Sequence, residues 1–348
     1  MSSVVEDRWH PRAGPLAGSG TIRAAVADFV VDEHIEMDDD SGGEHLWLLV
    51  RKAGENTDHV ASLLARAAGI RVRDVGYAGR KDRHALTTQW FSLHLPGRAD
   101  PCFDGLPPSV QVLETRRRRR KLAIGGLRAN RFRIVIRDFT GERSLLDRRL
   151  AELAVHGAPN HFGVQRFGRG GNNLVLAHEW FAGTRRVTDR KLRGLLLSTA
   201  RAAIFNAVLA ERVGDGSWCT ACAGDALMPD GRGSYFQAPE IDATLKARVR
   251  AGELHPTGPL WGAGDSPAGG VIAGLERAVA GRFPDFAQGL VNAGLRQERR
   301  ALRVLPRDLA WEWIGEAAVV LSFGLPPGCY ATTLLDEVLV CHDAAGAG

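Results

Sequence analysis

A carboxylate with three cationic neighbours is the feature of this sequence best suited to chemistry. Asp82 lies in the segment GRKDR, at residues 79–83. Nearby positive charges favour the ionised form of a carboxylate, so Asp82 could act as a nucleophile or as a base, or it could simply organise ion pairs. The segment GYAG that precedes it would let a ligand approach the backbone closely. On spacing alone, catalysis and a structural role both remain open.

The sequence offers little that would hold a metal or a cofactor. Cys219 and Cys222 form a single CxxC pair, without a second pair or histidines at the spacing of a zinc site. The glycine-rich segments at 168–171 and 262–270 match neither a P-loop nor a dinucleotide-binding fingerprint. No GxSxG motif is present, and the eleven histidines do not cluster. We therefore expect neither a metal nor a cofactor.

A strongly basic segment covers residues 111–137. It contains ten Lys and Arg residues, and Glu114 is the one acidic residue that opposes them. The alternatives are a solvated charged surface and a stripe that contacts the phosphates of a nucleic acid, whose affinity would fall with salt. The residues that we assign to contacts with an RNA backbone are Arg116, Arg117, Arg118, Arg119, Arg120, Lys121, Arg131 and Arg133.

The composition is typical of a folded protein of about two domains. The chain has 348 residues, of which 45% are hydrophobic and 24% are charged, and this balance excludes a wholly disordered chain. The net charge of +5 weakly favours an anionic partner. No apolar run reaches the roughly 18 residues of a membrane span, and we expect no signal peptide. Five scattered cysteines argue against a secreted disulfide scaffold, so we expect a cytoplasmic protein.

The elements that must position Asp82 are short strands and one helix. Strands are predicted over Leu46–Val50, Thr88–Leu95 and Arg131–Arg137, the last with apolar and arginine side chains on opposite faces. A helix is predicted over Asp58–Ala68, capped by Thr57 and ended by a glycine.

The middle of the chain has a different texture. A loop rich in Gly, Asn and Arg is predicted over Pro159–Asn173, and helices over Ser198–Val213 and near Glu240–Arg250. A strand pattern returns at Ala318–Phe323, and a short helix follows from Ala331. The middle therefore resembles an insertion into a domain that is built from both ends of the chain.

Several sequence blocks carry a resemblance to a known family. The segment GRKDRHALTTQ at 79–89 resembles the signature around the catalytic aspartate of the TruD family of tRNA pseudouridine synthases, the enzymes for position 13. The other blocks occur in the same order as in the family. They are DFVV at 28–31 with GEH at 43–45, NRF at 130–132, PNHFGVQRFG at 159–168, LSTAR at 197–201, GDAL at 224–227 and GRGS at 231–234.

The resemblance implies an α+β fold. It predicts a pseudouridine synthase catalytic domain with a central, largely antiparallel sheet, and an inserted, family-specific α/β domain (the TRUD domain). The implied boundaries are 1–156 with 306–348 for the catalytic domain and 157–305 for the inserted domain.

The resemblance also implies site residues. Asp82 is implied as the catalytic residue, and Phe29, Asn130 and Tyr330 are implied to line the uridine pocket. Tyr330 departs from the family, which usually has GSFAT where this chain has GCYAT at 328–332. The supporting residues are Phe132 as an inner wall of the pocket, Lys81 and Arg166 as candidate cationic partners of Asp82, and Gln165.

The implied reaction converts uridine into pseudouridine in tRNA without a cofactor. The target base must be flipped out of the RNA, and Asp82 would either attack C1′ of the ribose or remove the C2′ proton. We expect tRNA as the partner, with no membrane and no obligate protein partner. The competing hypotheses are a non-catalytic RNA-binding protein or RNA chaperone on the same scaffold, and a structural ribosome-associated protein.

Overall fold

The computed structural model describes residues 11–37, 42–123 and 125–346, and within them the fold is α+β. Sixteen strands are described: β1 (Gly18–Ile22), β2 (Phe29–His34), β3 (His45–Ala53), β4 (Val75–Tyr77), β5 (Leu86–His94), β6 (Val110–Arg118), β7 (Ala129–Gly141), β8 (Ala158–Pro159), β9 (Asp225–Pro229), β10 (Phe236–Ala238), β11 (Leu254–Leu260), β12 (Glu298–Ala301), β13 (Arg303–Val304), β14 (Arg307–Ile314), β15 (Ala318–Leu325) and β16 (Val340–Asp343). Eight α-helices are described: α1 (Thr57–Ala67), α2 (Arg143–His156), α3 (Asn172–Phe181), α4 (Arg190–Gly214), α5 (Ala243–Arg250), α6 (Gly270–Ala280), α7 (Pro284–Asn292) and α8 (Ala331–Leu335).

The chain forms two compact units. The first, which we call the sheet unit, comprises Ala17–Ser144, Pro306–Ala331 and residues 339–346. The second, which we call the mixed unit, comprises residues 11–16, Leu145–Leu305 and Thr332–Val338. The predicted limits of the inserted domain, residues 157 and 305, stay a prediction.

The sheet unit is built on one ten-stranded sheet. Its main path runs in the order β14-β15-β7-β2-β5-β3-β6, while β1 joins β7 to β16 and β4 pairs with β5. The pairs β2–β5 and β1–β16 are parallel, and the other pairs in this sheet are antiparallel. The largely antiparallel sheet confirms the predicted fold class.

Strand β7 shows why the central strands form where they do. Phe132, Ile134 and Ile136 point into the core, whereas Arg131 and Arg133 are exposed. This alternation is the period of a strand with one buried face, and it confirms the strand predicted there. Since β7 pairs with β15, β2 and β1, its buried face is the centre of the sheet unit.

Helix α1 confirms the predicted helix but not its cap. The helix includes Thr57 as its first residue, and Asn56 takes the N-cap position. The Thr57 hydroxyl instead donates to Gln89 Oε1 at 3.0 Å and accepts from the Lys81 amide at 2.9 Å. Gly69, at φ 61°, ends the helix where the sequence predicts. The Thr57 hydroxyl, which we predicted to cap the helix, therefore forms hydrogen bonds with residues outside the helix instead.

The mixed unit contains a four-stranded sheet, in the order β10-β9-β11-β12, and most of the helices. Its long helix α4 begins eight residues before the predicted start at Ser198, and Asp189 caps it by accepting a 2.8 Å hydrogen bond from the Lys191 amide. The first two turns carry few buried side chains, so the apolar period that reveals the rest of the helix is weak there. The predicted loop at 159–173 contains two short 3₁₀ turns and ends where α3 begins.

Helix α4 also has the length and composition of a membrane-spanning helix. It has 25 residues, with a mean hydropathy of 1.3 over its most apolar window, and it is the one such helix within the described part of the chain. Because 61% of that window is buried inside the protein, these apolar residues serve as the core of the mixed unit.

Candidate active site

Asp82 lies in the loop between β4 and β5 and forms an ion pair with Arg23, which follows β1. The Arg23 Nη2 atom donates to Asp82 Oδ2 at 2.5 Å. Its second terminal nitrogen, Nη1, donates at 2.5 Å to Asp343 Oδ2 at the end of β16. One guanidinium thus holds two carboxylates, which a planar fork of donors is suited to do.

Arg23 is the most restrained member of this cluster. Its backbone has φ 57°, a left-handed conformation that is uncommon for a residue other than glycine. Its guanidinium lies 4.0 Å from the centroid of the Phe29 ring, in a cation–π contact. The surroundings therefore fix both the backbone and the side chain of the residue that contacts Asp82.

The prediction that Lys81 is the cationic partner of Asp82 is wrong. The Lys81 ammonium donates to Glu33 Oε1 at 2.7 Å, and both side chains are almost fully buried. The other carboxylate oxygen of Glu33 accepts from the Trp90 amide at 2.8 Å. Neighbours in an extended loop point in different directions, so the Lys81 side chain enters the sheet while Asp82 faces Arg23.

Hydrogen bonds fix the loop around Asp82. Its Oδ1 atom accepts from the His84 amide at 3.1 Å, and its carbonyl accepts from the Lys52 ammonium at 3.0 Å. Lys52 also donates to the Glu55 carbonyl at 2.7 Å. Burial lowers the pKa of Lys52 to about 8, although the Asp82 charge acts in the opposite direction. A buried amine thus holds the main chain of the residue that we predict to be catalytic.

Aromatic rings from neighbouring strands lie behind this cluster. The rings of Phe29 and Phe132 are 6.2 Å apart and nearly perpendicular, and Phe132 stacks on Phe323 at 5.4 Å. Phe29 is 3% exposed and Phe132 is 9% exposed. In this structure the two predicted pocket residues, Phe29 and Phe132, therefore form an aromatic layer that we call the floor of the site. Arg23 lies between Phe29 and Asp82.

Asn130 lies on the same floor, because β7 places it opposite Glu33 of β2. Its Oδ1 atom is buried and accepts no hydrogen bond from the described residues. Leaving a buried acceptor without a donor costs free energy. The Oδ1 atom of Asn130 is therefore a hydrogen-bonding group that a ligand could satisfy. Its predicted role towards an edge of uracil stays a prediction.

Tyr330 is the exposed ring among the predicted pocket residues. It lies in the turn just before α8, and 40% of its surface is exposed. Its ring is thus available for stacking in a way that Phe29 and Phe132 are not. Its assignment to the uridine pocket stays a prediction.

The basic segment is not one uniform stripe. Arg117 donates to Asp100 and to the carbonyls of Leu95 and Arg98, and it stiffens the edge of the sheet. Arg118 is 8% exposed, with its guanidinium 5.0 Å from the Trp47 ring. Buried or tied guanidiniums are poorly placed for contacts with phosphate.

The remaining basic residues lie at the surface. Arg116 pairs with Glu114, and Arg131 lies 3.4 Å from Asp308 with its side chain 74% exposed. The other exposed residues are Arg119, Arg120, Lys121 and Arg133. Their predicted contacts with an RNA backbone stay a prediction, and these surface residues are the ones that could make them.

Arg166 and Gln165 belong to the mixed unit. The Arg166 Nη1 atom donates to Ser198 Oγ at 3.0 Å, and its guanidinium lies 5.6 Å from the Phe162 ring. Gln165 lies in the same 3₁₀ turn. Their supporting roles towards Asp82 stay predictions.

Sequence reasoning missed Arg23, Glu33 and Asp343. Arg23 is a lone arginine between a short strand and a turn, 59 positions from Asp82, and no local pattern marks it. Glu33 is in a strand and would be expected to face solvent. Both are identified by what they contact across the sheet, and one sequence does not contain that information.

The described residues also include cysteines and potential metal ligands. Among residues 11–37, 42–123 and 125–346, no three His, Cys, Asp or Glu side chains come together as metal ligands. Cys219 and Cys222 are both half-buried, and burial raises the pKa of each thiol. The catalytic role of Asp82 stays a prediction.

Comparison with known proteins gives a consistent result. The family model for tRNA pseudouridine synthase D (TruD) matches residues 16–176 and 172–338. A tRNA pseudouridine synthase D of Nitrosococcus oceani is 47% identical over 335 residues, covering 95% of this chain and 93% of that protein. The protein of the same name from Methylococcus capsulatus is 46% identical over 331 residues, with 94% of each chain covered.

A solved structure shares the fold. The crystal structure of a Methanosarcina mazei protein assigned as tRNA pseudouridine synthase D superimposes with a TM-score of 0.77, at 21% identity. The match covers 97% of this chain and 98% of that chain. The architecture is thus shared along nearly the whole length.

Proposed function

The chain belongs to the TruD family of tRNA pseudouridine synthases, as its sequence blocks predict, and we therefore propose that it converts uridine into pseudouridine in tRNA, at position 13. The observation that carries the proposal is the Asp82 carboxylate, which is 37% exposed at its side chain and held by the buried guanidinium of Arg23. We expect the enzyme to work in the cytoplasm, where tRNA is modified, without a cofactor.

The reaction needs a carboxylate and a means of holding an everted nucleoside. The C1′–N1 bond breaks, the uracil turns, a bond forms between C1′ and C5, C5 loses its proton and N1 gains one, so no atom is gained or lost overall. The Arg23 guanidinium holds the Asp82 side chain by a charged hydrogen bond, and the hydrogen bonds from Lys52 to its carbonyl and from the His84 amide to its Oδ1 atom fix its position. Asp82 then either attacks C1′ as a nucleophile or removes the C2′ proton as a base.

The surroundings of Asp82 support the binding of a flipped-out base. Extrusion of the uridine costs stacking energy, and stacking on an aromatic ring returns about 1–3 kcal/mol per base. We propose that the exposed ring of Tyr330 supplies this stacking; Phe29 lies against the Arg23 guanidinium and packs edge-on against Phe132. We propose that the Oδ1 atom of Asn130, which accepts no hydrogen bond from the described residues, accepts one from N3–H of uracil.

The experiment compares wild-type protein with Asp82→Asn on a tRNA transcript that carries uridine at position 13. Pseudouridine is detected by carbodiimide adducts that stop primer extension, and binding is measured separately. We expect conversion at position 13 by the wild type, no conversion by Asp82→Asn, and binding by both. Binding without conversion by the wild type would instead favour the RNA chaperone.

A further inference from the structure

A pocket distinct from the Asp82 site lies between α1, β4 and the segment that follows β6. Its volume is about 640 Å³, within the roughly 300–1,000 Å³ of small-molecule sites. Val72, Tyr77 and Ala123 contribute apolar or aromatic surface, and Arg73 and Lys121 contribute positive charge. Every residue of its lining belongs to the sheet unit.

The polar groups of the pocket suit an anionic ligand with a flat ring. Arg73 and Lys121 are exposed, the Lys121 ammonium donates at 2.8 Å to the Arg73 carbonyl, and both residues contribute to the lining of the pocket. The one carboxylate in the lining, Asp58, accepts from the Tyr77 hydroxyl at 2.6 Å and pairs with Arg80 at 3.0 Å. The charge of Asp58 is thus offset, which leaves the two cations to attract an anion.

The pocket is connected to the catalytic loop by direct contacts. Tyr77 ends β4, immediately before that loop, and Arg80 is two residues before Asp82. Asp58 contacts both Tyr77 and Arg80. A ligand that packs against Tyr77 therefore contacts the same residues that hold the loop in place.

We propose that this pocket binds a second, unpaired nucleotide of the substrate RNA, with its base against Tyr77 and Val72 and its phosphate on Arg73 and Lys121. The proposal rests on the proposed function. It also relates the basic segment to the pocket, because Arg119 and Arg120 directly precede Lys121 in the chain. The apolar wall alone would fit other ligands, but the two cations of the lining and the exposed Arg119 and Arg120 that precede Lys121 favour a nucleotide.

Two variants test the pocket by different means. Ala123→Trp adds bulk at an exposed residue of the lining without changing charge, and Arg73→Glu removes the proposed phosphate contact. Arg66→Glu is the matched control, since Arg66 is exposed on α1 but is not part of the lining. Binding of the tRNA transcript is measured from 50 to 300 mM salt, and thermal melting verifies that each variant is folded.

We expect Ala123→Trp to raise the Kd about tenfold with an unchanged salt slope, because it removes stacking without removing charge. Arg73→Glu should raise the Kd and reduce the salt slope by about one, the loss of a single phosphate contact. Arg66→Glu should stay within about twofold of wild type in Kd. Wild-type affinity in a folded Ala123→Trp would overturn the proposal.

Lysine acetylation gives an independent readout that does not depend on catalysis. The chain has five lysines, of which Lys52 and Lys81 have buried side chains and Lys121, Lys191 and Lys246 are exposed. We expect bound tRNA to protect Lys121 in the wild type and to protect it less in Ala123→Trp. Equal protection in the wild type and in Ala123→Trp would show that only the sugar–phosphate backbone of the RNA contacts Lys121, and not a nucleotide bound in the pocket. Should the wild type bind RNA through this pocket yet form no pseudouridine, the proposed function fails while the pocket stands.

Discussion

Arg23 and Asp82 form an ion pair whose negative end faces solvent. The side chain of Arg23 is 8% exposed, and that of Asp82 is 37% exposed. The carboxylate is therefore accessible, while the cation lies behind it on the Phe29 ring. In the reaction that we propose, this arrangement would present the carboxylate to an incoming nucleoside as a nucleophile or a base.

Loss of the Arg23 charge should reduce the chemical step. We expect Arg23→Met to lower kcat by about 100-fold, on the order of 3 kcal/mol, because Asp82 loses its charged hydrogen-bond partner. Arg23→Lys should recover part of the rate, since it restores charge but not the fork that reaches two carboxylates. Single-turnover assays at saturating enzyme measure the step. Arg51→Met, which removes an exposed guanidinium from β3, is the control and should keep its kcat.

Asp343 should act as a positioning residue for Arg23. We expect Asp343→Asn to lower kcat about threefold to tenfold with little change in KM, because Arg23 is then held at one end by a weaker, neutral acceptor. Asp308→Asn removes a more exposed carboxylate, 82% exposed at its side chain, and should have wild-type kinetics. A decrease in kcat of the same size in both variants would argue against a specific role of Asp343.

The sequence predicts the strands of the fold better than the geometry of the site. Strand β7 is predicted correctly because its alternation is local, and Asp82 is singled out because its cationic neighbours and its family signature are local. Lys81 and Arg166 are the candidate partners of Asp82 by sequence, whereas the sheet brings Arg23 to it and Lys81 pairs with Glu33. Ion pairs between distant strands depend on the register of the sheet, which one sequence does not specify.

Lys52 should make the stability of the protein depend on pH above about 8. Its pKa is about 8 in the folded protein and about 10.5 when unfolded, so the unfolded chain binds more protons between these values. The free energy of unfolding should therefore rise with pH across this window, by up to about 2 kcal/mol between pH 8 and 9.5. Lys52→Met should lack this rise. Urea unfolding at pH 7.5 and 9.5 measures it, and parallel pH profiles in the two proteins would contradict the prediction.

Glu337 should make the free energy of unfolding fall as pH rises, the opposite of the effect of Lys52, and it should do so at lower pH. Its carboxylate is buried in the mixed unit, where Oε1 accepts from the Ala13 amide at 2.7 Å and from Arg149 at 2.9 Å. Burial outweighs these contacts and those of Arg12, and it raises the pKa of Glu337 to about 7. The folded protein then binds the extra proton between about pH 4.5 and 7, so this stabilisation is lost as pH rises through that window.

The neutral variant Glu337→Gln tests this assignment. It should lose less stability than wild type between pH 5 and 7.5, and thermal melting across that range measures the difference. Asp336 is a necessary control, because burial raises its pKa to about 6 and gives a dependence of the same sign. The double variant with Asp336→Asn should have the flattest profile. If stability depended on pH as steeply in Glu337→Gln as in the wild type, a group other than Glu337 would be responsible for the effect.

Arg119 and Arg120, two exposed arginines of the basic segment, should account for much of its contribution to RNA binding. We expect the double reversal Arg119→Glu with Arg120→Glu to weaken tRNA binding and to reduce the salt slope by about two, because each lost phosphate contact removes about 0.9 from it. Arg118→Glu should instead lower the melting temperature, since its guanidinium is buried on Trp47. Filter binding across a salt series, with melting curves for each variant, separates the two effects. An unchanged salt slope in the double variant would mean that these arginines are a solvated surface, and the RNA backbone would then have to be held elsewhere.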